Sequence, residues 1–207
     1  MADLILGNLA TLKRWLLPDT WQSETQKDTV IQELGLGVAR AIEGFCNRKF
    51  GRAVAQVSPV LAANSRVFFC DRYPLESKPT VEMRSSGSDT WTAQSGVVSQ
   101  WNPNTGIIYF DTPLGTDFDA LRVTTTGGFW IDSSETTPTN QPANSTLLPE
   151  GIKAAWLIQC RHKWTIFGLQ KNIGETTERE SGFVSSIESD LLPTVKQALA
   201  EHVRWIP

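Results

Sequence analysis

Residues 28–60 read DTVIQELGLGVARAIEGFCNRKFGRAVAQVSPV, and within them the hydrophobic period changes. In the first part Ile31, Leu34, Val38, Ala41, Ile42 and Phe45 recur at intervals of three and four, the spacing that gathers side chains on one side of an α-helix. Asp28 stands at the front, where a carboxylate meets the positive end of the aligned peptide dipoles. From Arg52 onward the recurrence stops, and short runs rich in Val, Thr, Phe and Tyr alternate with clusters of Gly, Pro, Asn and Ser. That is the grammar of strands and turns. The segment therefore sets the fold class: α+β, with helices before the junction and strands after it.

Working outward, the N-terminal side carries a shorter helical stripe, Leu9, Leu12, Trp15 and Leu16, which Pro18 ends. On the other side, strands are expected near residues 53–60, 66–70, 79–84, 90–93, 97–101, 106–110 and 119–126, with reversals at Ser85–Asp89 and Asn102–Gly106. Residues 132–148 are dominated by Ser, Thr, Pro, Asn and Gln and read as a flexible arm. After Pro149 and Glu150, favoured at a helix start, a long helix is expected through Gln170, with Ile152, Ala155, Trp156, Gln159, Cys160, Lys163, Trp164 and Phe167 along one face and its edges. An acidic stretch follows, and a last helix starts near Pro193 with Val195, Leu199, His202 and Val203 on one side. The expected organisation is a single domain over 1–207: a helical bundle formed by the N- and C-terminal helices, residues 1–50 and 149–207, with a small antiparallel β lobe, residues 51–131, inserted between them. The two ends of the chain should then meet.

Composition excludes several classes of function. The chain has 207 residues, 40% hydrophobic and 20% charged, enough to build a core by burial alone. Its net charge of −3 lacks the basic excess of a protein that grips phosphate backbones. No run approaches the ~18 apolar residues that span a bilayer, and Asp3 stands where a secretory signal would be positive, so synthesis and folding in the cytoplasm are expected. Cys46, Cys70 and Cys160 are far apart in the chain and read as small buried hydrophobes rather than as a disulfide framework or thiolate metal site.

Catalytic signatures are missing as well. Of the two histidines, His162 lies between Arg161 and Lys163 and His202 on an expected packing face; neither setting suits a neutral base or a metal ligand. Gly35-Leu36-Gly37 falls inside a helix, with Arg40 where a dinucleotide fingerprint needs glycine. There is no phosphate-loop lysine, no nucleophile elbow and no zinc-protease histidine pair, and Asp117 and Asp119 read as turn residues. No cofactor, metal or catalytic residue is expected. Gly35 and Gly37 each weaken their helix by about 1 kcal/mol relative to alanine, which either close packing of another backbone repays or tertiary context tolerates.

What remains is a set of candidate contact residues. Among eight tryptophans, Trp15, Trp156 and Trp164 fall on helical faces and are expected in the core. Trp91, Trp101 and Trp130 lie in or beside the β lobe, where core and partner contact are both open; an aligned sugar-binding platform is the other-class alternative. Charge adds a second set: Lys153, Arg161 and Lys163 on the long helix, against an acidic run that includes Glu178 and Glu180. Opposite patches on neighbouring segments are solvated faces or the two sides of a repeating head-to-tail contact. Trp205 closes the last helix as a further contact candidate.

The order of local patterns resembles that of the head-tail connector proteins of tailed bacteriophages, also called adaptor or head-completion proteins. Leu9-Ala-Thr-Leu-Lys-Arg-Trp-Leu16 is similar to the family's first helix, and Ala41-Ile42-Glu43-Gly44-Phe45-Cys46-Asn47-Arg48-Lys49-Phe50 to the close of its second. Asp71-Arg72-Tyr73-Pro74-Leu75 and Val81 resemble its strand-proline-strand segment, and Leu121-Arg122-Val123-Thr124-Thr125-Thr126-Gly127-Gly128-Phe129 its Gly-terminated strand. Leu148-Pro149-Glu150-Gly151-Ile152-Lys153-Ala154-Ala155 resembles the start of its third long helix. The resemblance spans most of the chain; the arm 132–148 and the acidic loop 171–190 depart from it in being larger. It implies a non-enzymatic virion protein of the neck, made in the host bacterial cytoplasm. It also implies a ring, normally of twelve subunits, between the portal and a tail-completion or tail-terminator protein, around a channel through which genomic DNA passes without sequence-specific binding. Another phage neck or tail-completion protein is the nearest alternative, and a carbohydrate-binding or hydrolytic module a more distant one.

Overall fold

A computed structural model describes residues 4–23, 25–59, 65–84, 90–114, 121–131, 140–173 and 191–204. They fall into two compact units, one helical, within Met1–Arg48 and Leu148–Pro207 and taking in Ile131, the other of strands, within Lys49–Trp130 and Asn140–Leu147.

In the helical unit, α1 spans Leu9–Leu16. Asn8 caps it, its Oδ1 accepting from the Thr11 N–H at 2.8 Å, which satisfies one of the donors a helix start leaves unpaired. Pro18 follows its end, and a single 3-10 turn, Asp19–Trp21, leads toward α2, Asp28–Cys46. An ion pair between buried Lys13 and Asp28, 2.6 Å, ties α1 to the first turn of α2. Helix α2 stops at Asn47, which takes a left-handed φ of 51°. Helix α3 is Glu150–Ile173, α4 is Pro193–Leu199, and a closing 3-10 turn covers Ala200–His202. Gln159 of α3 accepts the Leu192 N–H at 2.9 Å, seating the start of α4. The Arg204 N–H donates to the Cys46 carbonyl at 2.9 Å, so the last described residues return to the end of α2.

Trp156 organises the core of this unit. It is 0% exposed, and its indole N–H donates to the Gly35 carbonyl at 2.9 Å. The ring occupies a slot that two glycines leave open: an added Cβ at Gly7 would stand 2.5 Å from Trp156 Cζ3, and one at Gly35 2.8 Å from Leu12 Cδ2 and 3.3 Å from Trp156 Cζ2. Gly37, by contrast, faces open space. Of the glycine pair Gly35 and Gly37 in α2, Gly35 is thus explained by the close approach of a side chain, not of a backbone, and Gly37 has no packing role within the chain's described residues. The buried arc of α2 runs Ile31, Gly35, Val38, Ala39, Ile42, Cys46. It is rotated from the expected stripe: Leu34 and Ala41 are half-buried, and Phe45 is exposed.

Among the described residues the strand unit has nine strands: β1 Ala53–Pro59, β2 Ser65–Phe69, β3 Thr80–Arg84, β4 Trp91–Ala93, β5 Val98–Asn102, β6 Ile107–Leu114, β7 Leu121–Gly127, β8 Phe129–Trp130 and β9 Thr146–Leu147. The first seven make two antiparallel sheets, ordered β1-β7-β3-β4 and β2-β6-β5. The period of two is plainest in β7, where Leu121, Val123, Thr125 and Gly127 are buried and Arg122, Thr124 and Thr126 lie on the other face. Val81, Leu121 and Val123 of the four-stranded sheet share one core with Val98, Ile108 and Phe110 of the three-stranded sheet. Asn102 forms the expected reversal, its Oδ1 accepting from the N–H groups of Asn104 and Thr105 at 3.0 and 3.3 Å.

Beyond β7 the chain differs from the expectation. Gly128, with φ +96°, turns it into the two-residue strand β8, and β8 pairs in parallel with β9. Strand β9 lies within the segment 132–148 read as an arm, so Asn140–Leu147 belongs to the strand unit. Two-residue strands carry too little pattern to be read from sequence. The expected reversal at Ser85–Asp89, the pair Asp117 and Asp119, and residues 132–139 lie outside the described residues.

Candidate subunit interface

The three tryptophans of the strand unit have three different settings. Trp91 lies opposite Arg84 in the β3/β4 register, on the face of the sheet where Glu82 lies opposite Arg122. The Arg122 and Arg84 guanidinium carbons lie 4.3 and 5.2 Å from the Trp91 ring centroid, and Arg122 also donates to Glu82 at 2.7 Å. That hydrogen bond holds the Glu82 carboxyl below its usual range. Trp101 of β5 packs against the core shared by the two sheets. Trp130 is half-buried on β8, opposite Leu147 of β9. One ring is flanked by cations, one is packed on the core and one sits in a separate strand pair, so they do not form one shared platform.

The helical candidates are rearranged as well. Lys163 is only 9% exposed, because its position lies within the buried arc of α3. Lys153 is half-buried. Arg161 is exposed, its guanidinium carbon 6.0 Å from the ring centroid of Trp15. The cationic face expected from Lys153, Arg161 and Lys163 therefore presents Arg161 to solvent, with Lys153 at its margin. Glu178, Glu180 and Trp205 lie outside the described residues.

Two exposed apolar side chains stand on this side of the unit, and the sequence reading placed neither there. Trp15, expected in the core, is 45% exposed, and Ile158 of α3 is 46% exposed. Arg161 is one turn from Ile158 on the same helix face. Ile158 could have been found by angle alone, since it lies opposite the arc of Ile152, Trp156, Gln159, Cys160 and Lys163 on a helical projection. Trp15 could not, because a four-residue stripe leaves the buried side of a two-turn helix underdetermined.

Cys46, Cys70 and Cys160 are free and buried. Burial pushes the Cys46 thiol up to about 11 against the opposing pull of Arg48, and burial raises Cys160 also, so neither is a nucleophilic thiolate near neutrality. His202 is held below its usual value by burial, with Glu201 pulling it up and Arg48 pushing it further down. Among the described residues no group of three or more His, Cys, Asp or Glu side chains is placed to hold a metal ion. No described helix is long and apolar enough to cross a membrane.

The architecture has counterparts among solved structures. One is a chain in the neck of an empty gene transfer agent (GTA) particle computed with C6 symmetry, which matches with a TM-score of 0.59 over 100% of this chain and 94% of that one, at 12% identity. Another is a chain in the virion of a native gene transfer agent particle, with a TM-score of 0.56, 10% identity, and coverage of 100% of this chain and 93% of that one. No protein-family model and no curated protein matches the sequence. At these identities the likeness is one of fold, and it runs from end to end of both chains.

Proposed function

We propose that the chain is a structural subunit of a phage neck, forming the head-tail connector ring between the portal and a tail-completion or tail-terminator protein, around the path of the DNA. The observation that carries this reading is the end-to-end likeness to a chain from the neck of a gene transfer agent, a phage-like particle. A helical unit, a strand unit and buried thiols suit a protein whose work is to present surfaces. The ring reading rests on assembly: the neighbour was computed with C6 symmetry, and both six and twelve subunits are compatible with it. Twelve fits the connector, and another count would favour the second reading, a different neck or tail-completion subunit.

Particles made without this protein test the proposal. The expected defect is a DNA-filled head that leaks and has no tail, with the ring density directly beneath the portal missing in electron micrographs. Normal tailed particles from the deletion would refute it. The subunit count in a reconstruction of wild-type necks separates the connector from the tail-completion reading.

A further inference from the structure

The outer faces of α2 and α3 match each other in spacing and in charge. Opposite its buried arc, α2 presents Val30, Glu33, Gly37, Arg40 and Gly44; Val30 is 42% exposed, and no described residue lies within 4 Å of where a Gly37 Cβ would be. Opposite its own buried arc, α3 presents Gly151, Ala154, Ile158, Arg161 and Thr165, with Trp15 beside Arg161. Both sets recur at three and four residues in the same order, so each is one continuous ridge.

We propose that the outer face of α2 in one copy of this chain packs antiparallel on the outer face of α3 in the next copy, with Ile158 seated at Gly37. This rests on the ring reading above and assigns its subunit contact. The direction follows from charge. Antiparallel, Glu33 meets Arg161 and Arg40 runs toward Glu150 at the start of α3, so both ends attract. Parallel, with Ile158 still at Gly37, Arg40 would meet Arg161 and the contact would repel. Gly37, whose cost to α2 no described residue repays, becomes the hollow that admits a β-branched side chain. Because the two faces are different surfaces of one molecule, the contact is heterologous and repeats around a ring instead of closing as a dimer.

The test is disulfide trapping in purified chain and in assembled necks, reading the ladder of cross-linked species. The double variant Gly37→Cys with Ile158→Cys is expected to give dimers and a ladder above them, and each single variant monomer only. Glu33→Arg should lower oligomer yield roughly tenfold, and adding Arg161→Glu should restore it to within about threefold. Gly37→Leu should leave the monomer folded by circular dichroism and abolish the ladder. Rings that persist with Glu33→Arg or Gly37→Leu, or a cross-link between two Ile158→Cys chains, would overturn the contact while leaving the ring intact. Rings lost on charge reversal at Glu178 and Glu180 but not at Glu33 would assign the contact to the acidic segment and overturn it too. Wild-type chain that forms no oligomer at any concentration and is missing from necks would overturn the ring reading itself.

Discussion

At the scale of single residues, the helical unit depends on a tryptophan held by glycines. Trp156→Ala removes the largest fully buried side chain and the donor to Gly35, and is expected to cost about 3–5 kcal/mol. Gly35 and Gly37 of α2 make an internal comparison. Gly35→Ala forces a Cβ to 2.8 Å from Leu12 Cδ2 and should destabilise by about 1–3 kcal/mol, while Gly37→Ala meets nothing and should stabilise the monomer by about 0.4–1 kcal/mol. Urea titrations of the two variants check the opposite signs. His202 supplies a pH dependence. Its folded pKa lies below the unfolded value, so as pH falls through about 6.5 the unfolded chain takes up the proton first. Stability from this group is complete above that pH and declines until the folded pKa is passed. A His202→Gln variant should lose stability less steeply than wild type between about pH 7 and pH 5; equal slopes in urea midpoints would remove His202 from the account.

Among elements, the junction after β7 is the least forgiving. Gly128 has φ +96°, and a Cβ there would stand 2.6 Å from the Gly51 carbonyl oxygen. Around it the Phe129 N–H donates to Phe50 at 2.7 Å, the Gly128 N–H to Pro74 at 2.9 Å, and Arg52 grips Glu76 with two hydrogen bonds of 2.5 and 2.8 Å. Gly128→Ala combines backbone strain with a clash and should cost more than about 2 kcal/mol, seen as a lowered melting temperature. This junction also shows what a sequence can and cannot disclose. The seven strands of the two antiparallel sheets were legible because alternation and turn residues mark each one locally, as in Leu121–Gly127. Strands β8 and β9 were not, since pairing across residues 131–145 is a tertiary event with no local period. Helices α2 and α3 were readable as helices, yet the rotation of α2 was not, because Gly35 contributes to burial without a hydrophobic side chain to announce it. For the same reason the candidate interface was half visible. Arg161 stood out by charge, whereas Ile158 and Gly37 matter through the direction they face.

At the scale of the whole molecule, charge sets the relation to DNA. Duplex DNA presents one phosphate charge per ~1.7 Å of axis, and proteins hold it by releasing counterions from several phosphates at once. This chain carries 19 Lys and Arg against 22 Asp and Glu, and its described arginines are largely committed. Arg122 is bonded to Glu82 and lies over Trp91, Arg52 is bonded to Glu76, and Arg72 is bonded to Gln56 and to the Gly51 carbonyl. Under the proposed neck role the chain should let DNA slide, because each phosphate contact that held it would have to be broken for the next base pair to pass. Fluorescence anisotropy with a labelled duplex at about 0.15 M salt is therefore expected to show no binding tighter than about 10⁻⁴ M, and a flat dependence on added salt. Micromolar retention that falls steeply with salt would mean that a basic surface outweighs the net charge, and the proposed DNA-passing role would then have to be replaced by a DNA-holding one.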